Sequence, residues 1–312
     1  MLGKTAGGLY WMSRYLERSE NTARMIEAGQ RIALTRSSSD EEWISILQAA
    51  GTLAGYNAKY DTITGDTAID WMLRDPANAS SVMSVVEMAR NNAKLVRTAL
   101  TREVWEAINE CWMVLKDCLA RKVSERDLPQ VLSKVRQRAA FVRGAMHGTM
   151  LRNDIYDFAR IGTFIERADN TSRILDVKYY VLLPTALSVG SSIDNVQWES
   201  ILSSVSAEGG YRLTYGQKVL PHQISQFLIL DKRMPRSLSF CIHKIRDNLE
   251  YLTQDYGTRL PSADMADALC RSVSERSIHD IFEMGLHEFI AGFLLDLSAL
   301  GQQTELDYRF NE

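Results

Sequence analysis

Apolar residues in this chain recur by threes and fours. Leu9, Met12, Leu16, Ser19, Ala23, Ile26 and Gln30 fall on one face of a long helix near the start. Ser39 to Glu42, in "SDEEW", has the form of a capping box and predicts the start of the next helix. Asp75-Pro76 reads as a capping acid ahead of a proline in a first turn, and Pro261-Ser262 opens a helix by the same logic. Pro76, Pro129, Pro184, Pro221, Pro235 and Pro261 separate long helical stretches. Alternating, β-branched strand patterns are scarce. The run "QFLILD" is the most strand-like, and it is short enough to be buried helix instead. The expected fold class is all-α, with ten or more helices.

A second periodicity is much longer. Shifted by 149 residues, "YLERSENTAR" (15–24) falls on "FIERADNTSR" (164–173). Glu17, Arg18, Asn21, Thr22 and Arg24 match Glu166, Arg167, Asn170, Thr171 and Arg173 identically. Leu16 with Ile165, Glu20 with Asp169, Met25 with Ile174 and Glu27 with Asp176 keep their character. Further along, "WISILQAAGTLAGYNAKY" (43–60) falls on "WESILSSVSAEGGYRLTY" (198–215), and "SVMSVVEMARNN" (81–92) on "SLSFCIHKIRDN" (237–248). The offset drifts upward, as loop insertions would make it. The sequence therefore predicts a multi-helix bundle of two related halves, 1–149 and 150–312, packed as one unit about an approximate two-fold axis. Two long copies do not make a solenoid. The last helices of the halves, around 130–150 and 276–300, align poorly.

The surviving letters are polar. On a helix, Glu17, Asn21, Arg24 and Ala28 form a narrow stripe with Arg14 beside it, across from the Met12/Leu16/Ala23/Ile26 face. A solvated stripe needs only to be polar, so Glu, Asn and Arg should have drifted, while it is the apolar partners that drift. A buried network explains the retention, because an unpaired buried charge costs several kcal/mol. A ligand or peptide pocket explains it too, and so does catalysis. In the first of these readings the two Glu-Arg helices meet at the centre and share one network.

Composition changes this picture little. A net charge of −3 over 312 residues suggests neither nucleic acid nor an anionic membrane as partner. No run of about 18 apolar residues marks a membrane span. The opening "MLGKTAGGLYWMSRYLERSE" does not read as a signal peptide. Cys111, Cys118, Cys241 and Cys270 lack C-x-x-C spacing and read as reduced core thiols of a cytoplasmic protein. "GKT" at 3–5 lacks the upstream glycine and strand of a phosphate-binding loop. His279, Glu283 and His287 fall at i, i+4 and i+8 of one expected helix, a spacing in which the end residues are about 12 Å apart, too far for one ion. No metal or other cofactor is expected. His147 in "GAMHGTM" suggests a tight helix crossing, and the six tryptophans suggest core packing rather than base stacking. Glu17 and Glu166 facing each other could do acid–base work, although their arginine neighbours argue for paired, ionised carboxylates.

"LYWMSRYLERSENTAR", "VEMARNNAKLVR" with "EVWEAIN" after it, "DFARIGTFIERADNTSRILD" and "PRSLSFCIHKI" together resemble the bacterial alpha-E family over nearly the whole chain. That family is all-helical and named for a Glu-Arg motif, which maps onto Glu17-Arg18 and Glu166-Arg167. Its genes typically neighbour an ATP-grasp-type amide ligase and a transglutaminase-like peptidase. The resemblance implies a non-catalytic partner or peptide-binding component of a peptide-synthesising or peptide-modifying system. The alternative it leaves is an enzyme of that pathway acting through the Glu/Arg/Asn clusters. This chain departs from the family's Asn-Pro-Arg-Ser at "RMPRS" (233–237), where Met234 precedes Pro235 and a helix cap would be lost if that Asn supplies one.

Overall fold

The computed structural model describes residues 1–33, 40–182 and 192–312; side chains are described to residue 31, from 43 to 176 and from 196 onward. The expected cap at Ser39 and the break at Pro184 lie outside the described residues. Among the described residues the chain forms fifteen α-helices and no strand, so it is all-α.

The first half holds α1 (Gly3–Ala33), α2 (Asp40–Ala49), α3 (Leu53–Asn57), α4 (Gly65–Leu73), α5 (Val82–Leu95), α6 (Arg102–Cys118) and α7 (Leu128–Thr149). The second holds α8 (Asp154–Leu182), α9 (Ser192–Ser204), α10 (Glu208–Tyr215), α11 (Pro221–Ile229), α12 (Leu238–Tyr256), α13 (Pro261–Ser274), α14 (Ile278–Met284) and α15 (Leu286–Asp307). Local chemistry sets most starts. Ser81, Thr101 and Ser237 accept the backbone N–H three residues on, as N-caps do. Thr64 with Thr67 and Ser277 with Asp280 close reciprocal capping boxes. Proline occupies the first turn of α7, α11 and α13, where its missing N–H costs nothing.

Several expectations change. Asp75-Pro76 does not begin a helix. It sits in the turn after α4, Asp75 accepts the N–H of Ala77, and α5 starts at Val82 behind Ser81. "QFLILD" lies mostly in helix α11. Met234 does not cost α12 its cap, because Ser237 accepts from the Phe240 N–H at 3.0 Å. The His279/Glu283/His287 helix breaks at Gly285, where φ is +102° and the axes turn by 99°. His279 then pairs with Glu283 at the surface, whereas His287, on α15, meets Asp176 of α8. His147 lies at no tight crossing, for a Cβ at Gly144 or Gly148 would meet open space; it contacts the Tyr156 hydroxyl instead. Trp43, Trp71 and Trp198 are buried, while arginines lie over the rings of Trp11, Trp105 and Trp112.

The two long helices organise the molecule. α1 packs along α8 and α5, with α7 and α9 completing its surroundings, and α8 packs on α12 and α15. Gly162 of α8 lies so close to α1 that a Cβ there would stand 2.3 Å from the Tyr10 carbonyl oxygen. Enclosed this way, α1 buries both faces: Leu9, Met12, Leu16, Ala23 and Ile26 on one, Glu17, Asn21 and Arg24 on the other. Cys111, Cys241 and Cys270 are buried free thiols, and Cys118 is half-buried. Among the described residues no single helix is long and apolar enough to cross a membrane.

Candidate functional site

The repeated polar letters meet at the α1–α8 contact and pair across it. Arg18 donates to Glu166 with Nε at 2.5 Å and Nη2 at 2.9 Å, while Arg167 donates to Glu17 with Nε at 2.9 Å and Nη2 at 3.1 Å. Each glutamate is thus held by the arginine of the opposite helix in a two-pronged bond, the strong form of this interaction. Asn21 Nδ2 crosses as well, donating to the Glu166 carbonyl at 3.2 Å. The outer arginines do not join the central pairs. Arg24 pairs with Glu20 on its own helix and donates to the Ser204 carbonyl at the C-terminus of α9. Arg173 pairs with Asp169 and donates to the Ala49 carbonyl at the C-terminus of α2. Both positions favour a cation, because helix C-termini carry unsatisfied carbonyls. Thr22 is half-buried beside a cavity, and Thr171 is fully buried.

Residues that the repeat did not single out complete the two clusters, and they do so unequally. Around Glu17, Arg236 and Arg143 approach from α12's N-terminal side and from α7, each at 3.1 Å. Arg236 also reaches Glu20 at 2.6 Å and donates to Asn21 Oδ1 at 3.1 Å, and Arg143 pairs with Glu20 too. Around Glu166 the additional cation is Arg14, at 3.1 Å, whose guanidinium also lies over Trp11. Arg14 stands beside the stripe in the sequence. Glu20 is visible there through its match with Asp169, and Arg236 in the departing "RMPRS" segment. Arg143 lies where the halves align poorly, so no sequence signal marks it.

This setting holds the acids ionised. Burial alone would raise the Glu17 carboxyl, but Arg167, Arg236 and Arg143 carry it well below the usual carboxylate range. Glu166 is lowered against its own burial by Arg18 and Arg14, and Glu20 is lowered against burial and the neighbouring Glu17 by Arg236, Arg143 and Arg24. Arg236 pays the opposite way: complete burial drops it to about 10 even though Glu17 and Glu20 favour its charge.

The Glu166 side opens onto a cavity. A cavity of about 490 Å³ is bordered by Arg14, Arg18, Thr22, Glu166, Asn170 and Arg173 from the doubled helices, and by Ser80, Leu297 and Glu305 from α5's N-terminal side and α15. A larger hollow of about 1010 Å³ beside Trp43, Leu128 and Arg136 contains none of the ten repeated residues. Among the described residues no group of three or more His, Cys, Asp or Glu side chains is placed to hold a metal ion.

Residues 1–308 match the model of the Alpha-E family, a predicted α-helical domain with a conserved ER motif. The chain is also similar to proteins named uncharacterized in Mycobacterium bovis and in two strains of Mycobacterium tuberculosis, at 25% identity over 323 residues. The match covers 93% of this chain and 35% of theirs, so the chain spans about a third of the length of these relatives. No solved structure matches the chain.

Proposed function

The chain belongs to the Alpha-E family, and we propose that it serves there as a non-catalytic, peptide-binding partner of an ATP-grasp-type amide ligase, with a transglutaminase-like peptidase in the same system. The observation that carries this reading is the cavity beside Glu166, which sets half of the doubled cluster against open space. Its volume of about 490 Å³ lies within the range of roughly 300–1,000 Å³ usual for ligand sites. Binding fits the cluster better than proton transfer does. Glu166 is held ionised by two arginines, and an efficient general acid or base needs a pKa near the working pH. The mycobacterial relatives carry the matching region within much longer chains, which suits a domain that works beside others.

In the same reading the chain is an internal duplication with approximate two-fold symmetry. Parallel details support it. Tyr56 donates to the Thr62 carbonyl and Tyr211 to the Lys218 carbonyl, each in stacked contact with a following tyrosine. Gly51 and Ser206, which end corresponding helices, both take positive φ, +69° and +55°. Asp75 and Asp231 each accept the N–H two residues on.

The test is co-purification with a ligase encoded beside the gene, together with calorimetric titration of that ligase's peptide product. Binding of the peptide without turnover is the expected result. Turnover of the peptide by the isolated chain would instead make it an enzyme of the pathway.

A further inference from the structure

The two halves of the polar cluster are built from the same letters, yet an arginine donates to the asparagine oxygen of one and, among the described residues, nothing donates to that of the other. Asn21 Oδ1 accepts from Arg236, whose other nitrogen meets Glu20 and Glu17. Asn170 occupies the corresponding place on α8. It is 4% exposed, it borders the cavity, and among the described residues its Oδ1 has no hydrogen-bond partner. A buried acceptor without a donor costs about 1–3 kcal/mol, so such an atom calls for an explanation. The residue that falls opposite Arg236 at the offset joining 81–92 to 237–248 is Ser80. Ser80 too borders the cavity, and its side chain is far too short to reach where a guanidinium would sit.

We propose that the cavity beside Glu166 is a guanidinium site. It receives the side chain of an arginine, presented by a peptide, in the position that Arg236 fills on the other side. Asn170 Oδ1 accepts one N–H, as Asn21 Oδ1 does from Arg236. The wall carries three arginines, Arg14, Arg18 and Arg173, against three acids, Glu166, Asp169 and Glu305, so it is neutral before the guanidinium enters. Arg14 and Arg18 are already bound to Glu166, and Arg173 to Asp169, whereas Glu305 lines the same cavity outside these pairs, its carboxyl raised by burial against the lowering effect of Arg14. A cation entering here therefore meets one acceptor and one carboxylate not committed to these pairs. The apolar wall of Ile165, Leu294 and Leu297 suits the methylene stem.

The inference rests on the cavity being the peptide site, and the test separates the two ideas. N-acetyl-arginine amide, its neutral citrulline counterpart, agmatine and inorganic phosphate are titrated into the full chain by calorimetry. A short peptide with an internal arginine and its citrulline version are titrated alongside. The arginine probes are expected to bind at least tenfold more tightly than the citrulline probes. Ser80→Arg, which supplies a guanidinium from within, should abolish binding while the melting temperature holds or rises. Asn170→Ala should abolish it as well and keeps the test decisive if Ser80→Arg does not fold. Equal binding of arginine and citrulline probes overturns the proposal. So does displacement of the arginine probe by phosphate, or undiminished binding to a folded Ser80→Arg chain. If agmatine and the amide bind but the peptide does not, the guanidinium site stands and the peptide-partner reading fails. If peptides bind irrespective of arginine, the partner reading stands and the guanidinium site fails.

Discussion

Replacing Glu17 with alanine tests the cluster where it is most enclosed. Glu17 and Glu20 are each 1% exposed and together face Arg24, Arg143, Arg167 and Arg236. Without Glu17, Arg167 keeps a long bond to the Pro235 carbonyl and its place over the Phe164 ring but loses its paired carboxylate, and Arg143 and Arg236 are left to share Glu20. Four guanidinium groups then crowd one carboxylate in a setting with little water to screen them. Removing one partner of a buried pair costs about 3–5 kcal/mol, much of it from the charge left behind. Glu17→Ala should fall in that range, and Glu166→Ala below it, because Arg14 and Arg18 keep side-chain exposures of 16% and 28% and can turn toward solvent. Urea unfolding at pH 7, with the slope checked for constancy, measures both. An internal control is Glu106→Ala: Glu106 pairs with Arg102 at side-chain exposures of 57% and 81%, and its loss should leave the midpoint unmoved. A loss below about 1 kcal/mol for Glu17→Ala, the ceiling for exposed pairs, would refute the reasoning that burial kept these letters in place.

Three other outcomes follow from the same physics. Glu17, Glu20 and Glu166 have lowered folded-state pKa values, so the stability they confer is present above the ordinary glutamate value of about 4.3 and is lost as pH falls below it; urea midpoints at pH 7, 5 and 3 should drop steeply only in the last step. Asp157 runs the other way, since burial and then Asp255 and Asp154 push it up to about 7. Its ionisation therefore opposes folding increasingly as pH rises from about 4 through 7, and Asp157→Asn should stabilise the chain by roughly 1–3 kcal/mol at pH 8 and not at pH 4. Gly162→Ala places a methyl group 2.3 Å from the Tyr10 carbonyl oxygen, forcing α1 and α8 apart. A loss of about 1–3 kcal/mol in thermal unfolding is expected, and no loss would mean that the helices do not approach so closely.

Much of this molecule is written locally. The three-and-four spacing of apolar residues and the Ser, Thr and Pro signals at helix starts act within a few residues, so the all-α class is legible from them. The doubled Glu-Arg segments were legible for another reason: polar identities persisted where apolar ones drifted, which marked buried or bound groups without showing their partners. Local signals misled where a neighbouring element overrode them. Asp75 looked like a cap, but its carboxylate serves the turn, with Lys59 and Tyr60 also upon it. Helical spacing joined His279 to His287, and Gly285 turned the chain between them. Helical periodicity states the direction in which a side chain leaves its own axis and says nothing of which helix lies there. Only the packing of α1 on α8 made Arg18 the partner of Glu166 and Arg167 that of Glu17, and only the approach of Arg143 and Arg236 brought two further cations onto Glu17. The Glu166 cluster borders open space, with Ser80 on the wall and Asn170 Oδ1 without a partner among the described residues, a difference that depends on contacts between residues far apart in the chain.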